Sequence, residues 1–395
     1  MDLKFKNILV WTGSFYPKIG GLEIASLEYA KYLKEKGHYV SVITNKYPLN
    51  LNSKEYINGI KIRRFRFFHS PFNYLRKLRL DIFIYWIFMK IFTLVQLIFY
   101  FFKEKPKIVN LHFPDHQLFE ILILKFFFKF DLIINLHGSE ITQVKYLKRT
   151  NLKYFFYQLV FKKSMLIVAC SKSLLDMAFR LFPELDYDKC TVVYNGVNNS
   201  FFFNKINVLK SDYIFSAMRF VPKKGLDLMI KSINSLKLKN KIIIAGGDKK
   251  DAKKLLGDLK TDLSISFIGK LKPKSILKHL KDTRLTIIPS REEPFGIFLA
   301  EALCSGSPVV VTNVGGIPEV ISLAKRNLSK KQKQTFDSFV KVVTPNTRLI
   351  SKSVELLLEN DKGNDDYIKI IPLIRKNFKW EIILDNFYKL IRVNI

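Results

Sequence analysis

Short apolar runs alternate with amphipathic stretches along most of the chain. Residues 7–10, 108–112 and 132–136 are mostly apolar, and they are short enough for buried parallel strands. Between such runs, apolar positions recur every three to four residues, as at Leu22, Ala25, Tyr29 and Leu33, which predicts a helix ended by Gly37. This alternation predicts an α/β fold built on parallel sheets.

Residues 82–102 are nearly all apolar and long enough to cross a bilayer. A stripe of polar residues nevertheless recurs at helical spacing: Lys90, Thr93, Gln96, Tyr100 and Lys103. Residues 108–112 are predicted to join the same sheet as residues 7–10, and a membrane span would separate these two strands. Two interpretations remain open. Either the helix packs on the sheet and rests its surplus aromatic surface on a membrane, or it is a fully buried domain helix.

Basic residues precede this helix and would suit anionic lipid headgroups; in the second interpretation they are solvated loops. They are Arg63, Arg64, Arg66, Arg76, Lys77 and Arg79. The whole chain holds 66 Lys and Arg against 34 Asp and Glu, a formal charge of +32. No zinc finger, RNP-like motif or basic tail accompanies this charge, so we expect no nucleic-acid partner. An anionic membrane surface and a compositional bias toward lysine both remain open.

A length of 395 residues predicts two domains. The cysteines Cys170, Cys190 and Cys304 are scattered without metal-ligand spacing, which fits a reducing compartment. The first apolar run is too short for a secretory signal. We therefore expect a cytoplasmic protein, with the inner face of the plasma membrane as a candidate contact.

The most informative stretch spans residues 289–319. A strand at 285–288 leads into a turn at 293–296, a helix over 297–304 that Gly306 ends, and another strand at 309–311. This arrangement places backbone N–H groups and a helix N-terminus at the carboxyl edge of a parallel sheet, where anions bind without a metal. Glu293 and Glu301, with seven residues between them, could face one ligand from two sides.

These motifs, PS-x-x-E-P-F-G, E-x7-E, EAL-x-x-G-x-P-V-V and G-G-x-P-E, resemble the donor-site signature of glycosyltransferase family 4. The resemblance implies the GT-B architecture: two Rossmann-like parallel-sheet domains facing across a cleft, with a C-terminal helix crossing back to the first domain. It divides the chain into an acceptor domain over 1–198, a donor domain over 199–376 and a closing helix over 377–395. It also implies a retaining, metal-independent hexosyltransferase that uses a nucleotide-sugar donor.

The resemblance assigns roles residue by residue. His137 contacts the donor sugar, Arg219 and Lys224 hold the donor diphosphate, Glu293 binds hydroxyls of the transferred sugar, and Glu301 binds the ribose. Further donor contacts are the glycine loop and the amides and turns at Gly20, Gly21, Gly269, Lys270, Phe295, Gly296 and Ile297. The chain departs from the family pattern at Asn198, where an aspartate is usual, and at Met218, where glycine is common.

The acceptor is assigned by position to a strand-end loop that holds His112, Asp115 and His116. Pro114 makes a helical H-x3-H metal pair unfavourable. Asp186 and Asp188 spell D-x-D, which we interpret as a surface turn because its context is a polar connection. We therefore expect neither a metal nor another cofactor.

The predicted reaction moves a sugar from a UDP- or GDP-sugar to a glycan or lipid-linked acceptor, in cell-envelope polysaccharide or glycolipid synthesis. Two alternatives remain open from the sequence. A GT-B nucleotide-sugar epimerase would release free sugar without an acceptor, and a non-catalytic subunit of a membrane-bound glycan synthase would turn over no donor.

Overall fold

The computed structural model describes residues 6–67, 80–146, 151–203, 211–236, 238–257, 263–359 and 364–394. The chain forms two compact units, the first made of Met1–Val193 and Leu384–Ile395 and the second of Tyr194–Ile383. Each unit is built on one sheet. Arg76, Lys77 and Arg79 lie outside the described residues.

The sheet of the first unit has the strand order β3-β4-β2-β1-β5-β6-β7-β8. Its strands are β1 (Asn7–Thr12), β2 (Tyr39–Asn45), β3 (Lys54–Ile57), β4 (Ile60–Phe65), β5 (Ile108–His112), β6 (Asp131–Leu136), β7 (Leu166–Ala169) and β8 (Cys190–Val192). The β3–β4 pair is antiparallel, and the other neighbours are parallel. The predicted pairing of residues 108–112 with the first strand is confirmed. The order in which strands are added to the sheet reverses between β1 and β5. Open α/β sheets bind ligands at such a switch point.

Helices connect these parallel strands, because parallel neighbours need a crossover. They are α1 (Gly21–Glu35), α2 (Leu80–Glu104), α3 (Leu118–Phe127), α4 (Ser139–Val144), α5 (Leu152–Lys163) and α6 (Lys172–Leu181). Large side chains fill the space between sheet and helices and are fully buried, among them Trp11, Phe101, Tyr157 and Phe182.

The sheet of the second unit is parallel throughout, with the order β11-β10-β9-β12-β13-β14. Its strands are β9 (Ser211–Ala217), β10 (Lys241–Ala245), β11 (Ile265–Phe267), β12 (Thr283–Ile288), β13 (Val309–Thr312) and β14 (Val340–Val343). The switch in strand order lies between β9 and β12, so the loops that follow these two strands border the expected ligand position.

Eight helices surround this sheet in the described part of the unit, and one more closes the chain. They are α7 (Leu226–Asn234), α8 (Lys249–Leu256), α9 (Pro273–Asp282), α10 (Ile297–Ser305), α11 (Ile317–Lys325), α12 (Lys330–Phe339), α13 (Thr347–Leu358), α14 (Asn364–Asn377) and α15 (Trp380–Asn394). The core between sheet and helices is aliphatic, with Ile214, Met229, Ile242, Leu285 and Val354 buried together. Helix α15 begins in the second unit, and its residues from Leu384 onward belong to the first.

Helix α2 is long and apolar enough, by length and composition, to cross a membrane. It packs on the first unit along one side, where Met89, Leu97 and Phe101 are buried. On the same side Lys90 pairs with Glu120 at 2.5 Å, and the Thr93 hydroxyl donates to the Arg66 carbonyl at 2.9 Å. Its apolar side faces outward, with Phe88 64% and Phe99 70% exposed. The interpretation of α2 as a fully buried helix is therefore wrong, because only one side of it makes internal contacts and most of its large apolar side chains are exposed.

Candidate active site

The loops that follow β9 and β12 meet at the switch point of the second unit. Lys224 Nζ, from the first loop, lies 2.5 Å from Glu293 Oε2, from the second. The Ser290 hydroxyl donates to the same carboxylate oxygen at 3.3 Å. The structure thus brings together a cation and an anion that lie 69 residues apart in the sequence and that were both predicted as donor-site residues.

Backbone contacts fix the position of the loop that carries Glu293. The Lys223 carbonyl accepts from the N–H groups of Arg291 at 2.8 Å and Glu292 at 3.1 Å. The Arg291 guanidinium then binds both carboxylate oxygens of Asp227 at 2.7 Å, a bidentate geometry that holds the side chain in one orientation. The sequence reasoning did not identify Arg291 and Asp227 as supports of the site, although Arg291 lies inside the PS-x-x-E motif.

The glycines of the G-G-x-P-E motif let a third loop approach Glu293. Gly315 has a φ of +54°, and a Cβ at this position would lie 2.0 Å from the Glu293 carbonyl oxygen. The Gly316 N–H donates to that same oxygen at 2.8 Å. Glycine is therefore required here by local packing, since any side chain at Gly315 would displace the turn that carries Glu293.

Helix α10 starts where these loops converge. Gly296, with a φ of +107°, precedes the first helical residue, Ile297. The neighbouring Phe295 is buried, and its ring stacks on that of Tyr194 at 5.9 Å between centroids. The N-terminus of α10 therefore points its dipole and backbone N–H groups toward the loop of Glu293, a suitable environment for an anion.

Glu301 lies on α10 and is 8% exposed. Burial raises the pKa of its carboxyl group to about 8. The group is therefore largely protonated at neutral pH in the ligand-free protein. A buried carboxyl of this kind can exchange hydrogen bonds with a ligand hydroxyl and becomes ionised when the ligand stabilises the charged form.

The remaining predicted donor residues lie at the same sheet edge. Arg219 is exposed, two residues after the end of β9. Lys270 is exposed after β11, next to Gly269, which has a φ of +72°. The Gly246 N–H donates to the Gly269 carbonyl at 2.7 Å, and the Gly269 N–H donates to the Gly247 carbonyl at 3.1 Å. These bonds join the loops after β10 and β11.

A pair of histidines lies at the carboxyl edge of the first unit. His112 ends β5 and is fully buried, and its Nδ1 lies 3.0 Å from His137 Nε2, just beyond β6. Burial lowers the pKa of His137 to about 4, and burial together with His137 lowers the pKa of His112 well below its usual value. Both rings are therefore neutral at physiological pH, and one donates a hydrogen bond to the other.

Glu140 is a residue of this edge that the sequence reasoning missed. Its buried carboxylate accepts from the backbone N–H groups of His137 and Gly138, the latter at 3.0 Å. Burial raises its pKa to about 7 despite these hydrogen bonds. Gly138 has a φ of +131°, which favours glycine. The available signal was the motif itself, since Glu140 ends the LHGSE segment that contains His137.

The predicted acceptor residues are engaged within the first unit. His112 contacts His137, Asp115 forms an ion pair with Lys153, and an oxygen of Asp115 lies 3.2 Å from His116 Nε2. Within the described ranges, no group of three His, Cys, Asp or Glu side chains is arranged to hold a metal ion.

The other predicted sites have simple local environments. Helix α1 begins at Gly21, directly after the extended Gly20. Asp186 caps a short turn by accepting from the Asp188 N–H at 3.1 Å, and both side chains are exposed, so the interpretation of D-x-D as a surface turn is confirmed. Asn198 caps the next turn through the Ser200 N–H at 2.9 Å.

Comparisons with known proteins agree with this geometry. Residues 19–201 match the family described as Glycosyltransferase Family 4, and residues 198–372 match the family described as Glycosyl transferases group 1. An uncharacterised glycosyltransferase of Methanocaldococcus jannaschii is 29% identical over 341 residues, which cover 80% of this chain and 82% of the relative.

Solved structures show the fold. Sucrose-phosphate synthase from Thermosynechococcus elongatus superposes with a TM-score of 0.72 at 15% identity, covering 98% of both chains. HepE from Anabaena, solved in complex with UDP and glucose, superposes with a TM-score of 0.71 at 17% identity, covering 98% of this chain and 99% of that one. The predicted GT-B fold is confirmed, and the chain belongs to the GT-B glycosyltransferases of the family 4 type.

Proposed function

We propose that the protein is a retaining glycosyltransferase that binds a UDP- or GDP-sugar at the carboxyl edge of the second sheet. The observation that carries this proposal is the convergence of Lys224, Glu293 and the N-terminus of α10 at one switch point. HepE, whose structure was solved with UDP and glucose, has the same fold, which supports the choice of donor class. The proposed product is a glycan or glycolipid of the cell envelope.

The proposed chemistry is stabilisation of a diphosphate leaving group. As the glycosidic bond breaks, negative charge develops on the nucleoside diphosphate, and Lys224, Arg219 and the amides of residues 295–297 would neutralise it. A lysine, a guanidinium and backbone dipoles supply this charge without a bound cation, so we propose a metal-independent reaction. No residue is assigned as a covalent nucleophile.

The Lys224–Glu293 ion pair gives the proposal a specific first step. In the ligand-free protein the two charges neutralise each other across 2.5 Å. An incoming diphosphate would compete for Lys224, and the released Glu293 carboxylate could accept hydrogen bonds from hydroxyls of the transferred sugar. Glu301 would bind the ribose, and Gly269 and Lys270 would lie near the base. The roles of His137, Gly20 and Gly21 toward the donor stay predictions.

The experiment compares Glu293→Ala with Glu292→Ala, an exposed neighbour in the same loop. UDP- and GDP-sugars are incubated with a membrane lipid extract in the presence of a chelator, and released nucleoside diphosphate and glycosylated product are measured. We expect transfer by the wild type and by Glu292→Ala, and a loss of at least about a hundredfold for a folded Glu293→Ala, the usual effect of removing a transition-state contact.

Near-normal transfer by Glu293→Ala would refute the assigned role of this carboxylate. Activity that disappears with the chelator and returns with manganese would refute metal independence. Release of free sugar without an acceptor would indicate the epimerase alternative, and no turnover of any donor would indicate the non-catalytic alternative.

A further inference from the structure

The outward face of α2 is a large apolar surface that no other element covers within the described residues. Ten of its side chains are more than a third exposed, and we call them the α2 face: Leu80, Ile84, Tyr85, Ile87, Phe88, Ile91, Phe92, Val95, Phe99 and Phe102. Contiguous apolar surface of this kind marks an interaction site in a folded protein. The occupant must be inferred from what surrounds this face.

A cationic cavity of about 280 Å³ lies beside this face, between α2 and the end of β4. Lys46, Arg63 and Arg66 line one side of it, and Phe92 and Gln96 of α2 line the other. Phe92 is 49% exposed and belongs both to the cavity wall and to the α2 face. A polar, cationic cavity therefore adjoins an apolar surface.

The positive charge of this cavity is in excess. Arg64, which also lines it, is buried and neutralised by Glu55, and its guanidinium donates to the carbonyls of Tyr16 and Asn52. Lys46 donates to the Ser53 hydroxyl at 3.0 Å. In the described part of the chain, no carboxylate lies within 4.0 Å of a charged nitrogen of Lys46, Arg63 or Arg66. An anion would supply the missing negative charge.

The position of the cavity relates it to the acceptor. The β4, β2 and β1 strands are parallel neighbours, so the end of β4 lies at the same edge of the sheet as the loop that follows β1. Two strand spacings separate β4 from β1, roughly 10 Å. A phosphate in the cavity could therefore belong to a molecule whose other end lies at the β1–β5 switch point.

The volume of the cavity limits what it can hold. Ligand pockets usually measure about 300–1,000 Å³, so 280 Å³ suits a phosphate or diphosphate group and not a complete glycolipid. The rest of the ligand must lie outside, and the surface that continues from the cavity is the α2 face. The α2 face is suited to contact hydrocarbon chains, and the guanidinium groups of the cavity are suited to bind phosphate.

We propose that the first unit binds an acceptor lipid whose phosphate occupies the cavity lined by Lys46, Arg63 and Arg66 and whose hydrocarbon chain lies along the α2 face, at the surface of a bilayer. This inference rests on the proposed glycosyltransferase function and specifies its acceptor class. It assigns α2 to the plane of the membrane surface, since its polar side is held by the first unit.

The test uses the full-length protein and phosphatidylcholine vesicles that contain undecaprenyl phosphate, phosphatidylglycerol or no anionic lipid, with binding measured by flotation. We expect preferential binding to undecaprenyl phosphate. The double variant R63Q/R66Q should weaken this binding at least about tenfold, because even one lost hydrogen bond to a charged group contributes roughly a factor of ten. R63K/R66K, which keeps both charges, should recover part of the binding.

The matched control removes two lysines from the opposite edge of the same sheet. K105Q/K129Q takes two charges from a second basic cavity, and both lysines are exposed. It should bind undecaprenyl phosphate vesicles like the wild type. An equal loss in both double variants, or equal binding to phosphatidylglycerol, would overturn the inference in favour of general charge attraction. Glucose 1-phosphate, added at the same phosphate concentration as the lipid, should not release the protein from the vesicles. If it does, the cavity binds a soluble phosphate and not a lipid phosphate.

Stabilisation by nucleotide sugars separates this inference from the proposed function. R63Q/R66Q should keep the shift in Tm that a nucleotide sugar gives the wild type. A wild type that transfers sugar but shows no preference for undecaprenyl phosphate would overturn only the lipid-phosphate site. A wild type that binds this lipid through the arginines but turns over no donor would overturn only the proposed function.

Discussion

The buried carboxyl group of Glu301 offers a direct test of the donor site. Burial raises its pKa to about 8, so it carries a proton in the ligand-free protein at neutral pH. If ribose hydroxyls donate hydrogen bonds to this group, the donor stabilises the ionised form and lowers the pKa. Binding must then release a proton to the solvent, and the Glu301→Gln variant, which cannot ionise, must not.

The size of the effect follows from the pKa. At pH 7 a group with a pKa of about 8 is roughly nine-tenths protonated, so a donor that fully ionises it releases about 0.9 proton. Well below this pKa, each pH unit removed should weaken donor binding by up to about tenfold, or about 1.4 kcal/mol, because more of the carboxyl must be deprotonated.

The assay is calorimetric titration with UDP-glucose, or with the nucleotide sugar that raises Tm most, in phosphate and in Tris buffer at equal pH. The dependence of the apparent enthalpy on the ionisation enthalpy of the buffer gives the number of protons released. Glu292→Gln, on the exposed neighbour of Glu293, is the control and should release as many protons as the wild type. No proton release by the wild type, or equal release by Glu301→Gln, would refute the reasoning.

Three further variants test other contacts of the structure. Lys224→Met should lower the free energy of unfolding of the second unit, measured by urea titration, by about 1–3 kcal/mol, because Glu293 is left without its cation. The double variant Lys224→Met/Glu293→Gln should regain part of this free energy, and strictly additive losses would contradict the pairing. Gly315→Ala should lower Tm more than Gly269→Ala, because both have a positive φ but only a Cβ at Gly315 meets another atom, at 2.0 Å; equal shifts would contradict this. The pKa of Glu140 is about 7 in the folded protein and lower in the unfolded chain, so the wild type should lose stability as the pH rises from about 4.5 to 7. Glu140→Gln should remove this loss. Unchanged pH dependence of the urea midpoint would contradict that assignment.

The hydrophobic pattern predicted most of the strand-to-helix order because, apart from the β3–β4 pair, the strands of both sheets are parallel and their sheets are covered on both faces. Such strands are short apolar runs, and the turns that follow them contain glycine for local reasons, as at Gly296 and Gly315. The edge strand β3, which pairs antiparallel with β4, was not predicted, because its alternating exposed residues carry no apolar run. Periodicity reports burial, and β3 buries little.

The candidate site could be predicted residue by residue but not contact by contact. Sequence spacing placed Glu293 in a turn and Lys224 near a strand end, yet their ion pair depends on β9 and β12 being neighbours in the sheet. The His112–His137 contact likewise depends on the pairing of β5 with β6. The protonation of Glu301 depends on its burial, which a helical position alone does not determine.

Helix α2 shows that the direction in which its side chains point matters as much as their composition. Its hydrophobic content fits a span, a core helix or a surface helix equally well. The inward contacts of Lys90 and Thr93, together with the exposure of Phe88 and Phe99, select the last. Covering ten half-exposed apolar side chains at about 1 kcal/mol each would contribute on the order of 10 kcal/mol, which is enough to hold the protein at a lipid surface. Apolar area cannot distinguish one lipid from another, however, so selectivity must come from polar groups beside it. The cavity of Arg63 and Arg66 adjoins the α2 face and can therefore make that selection.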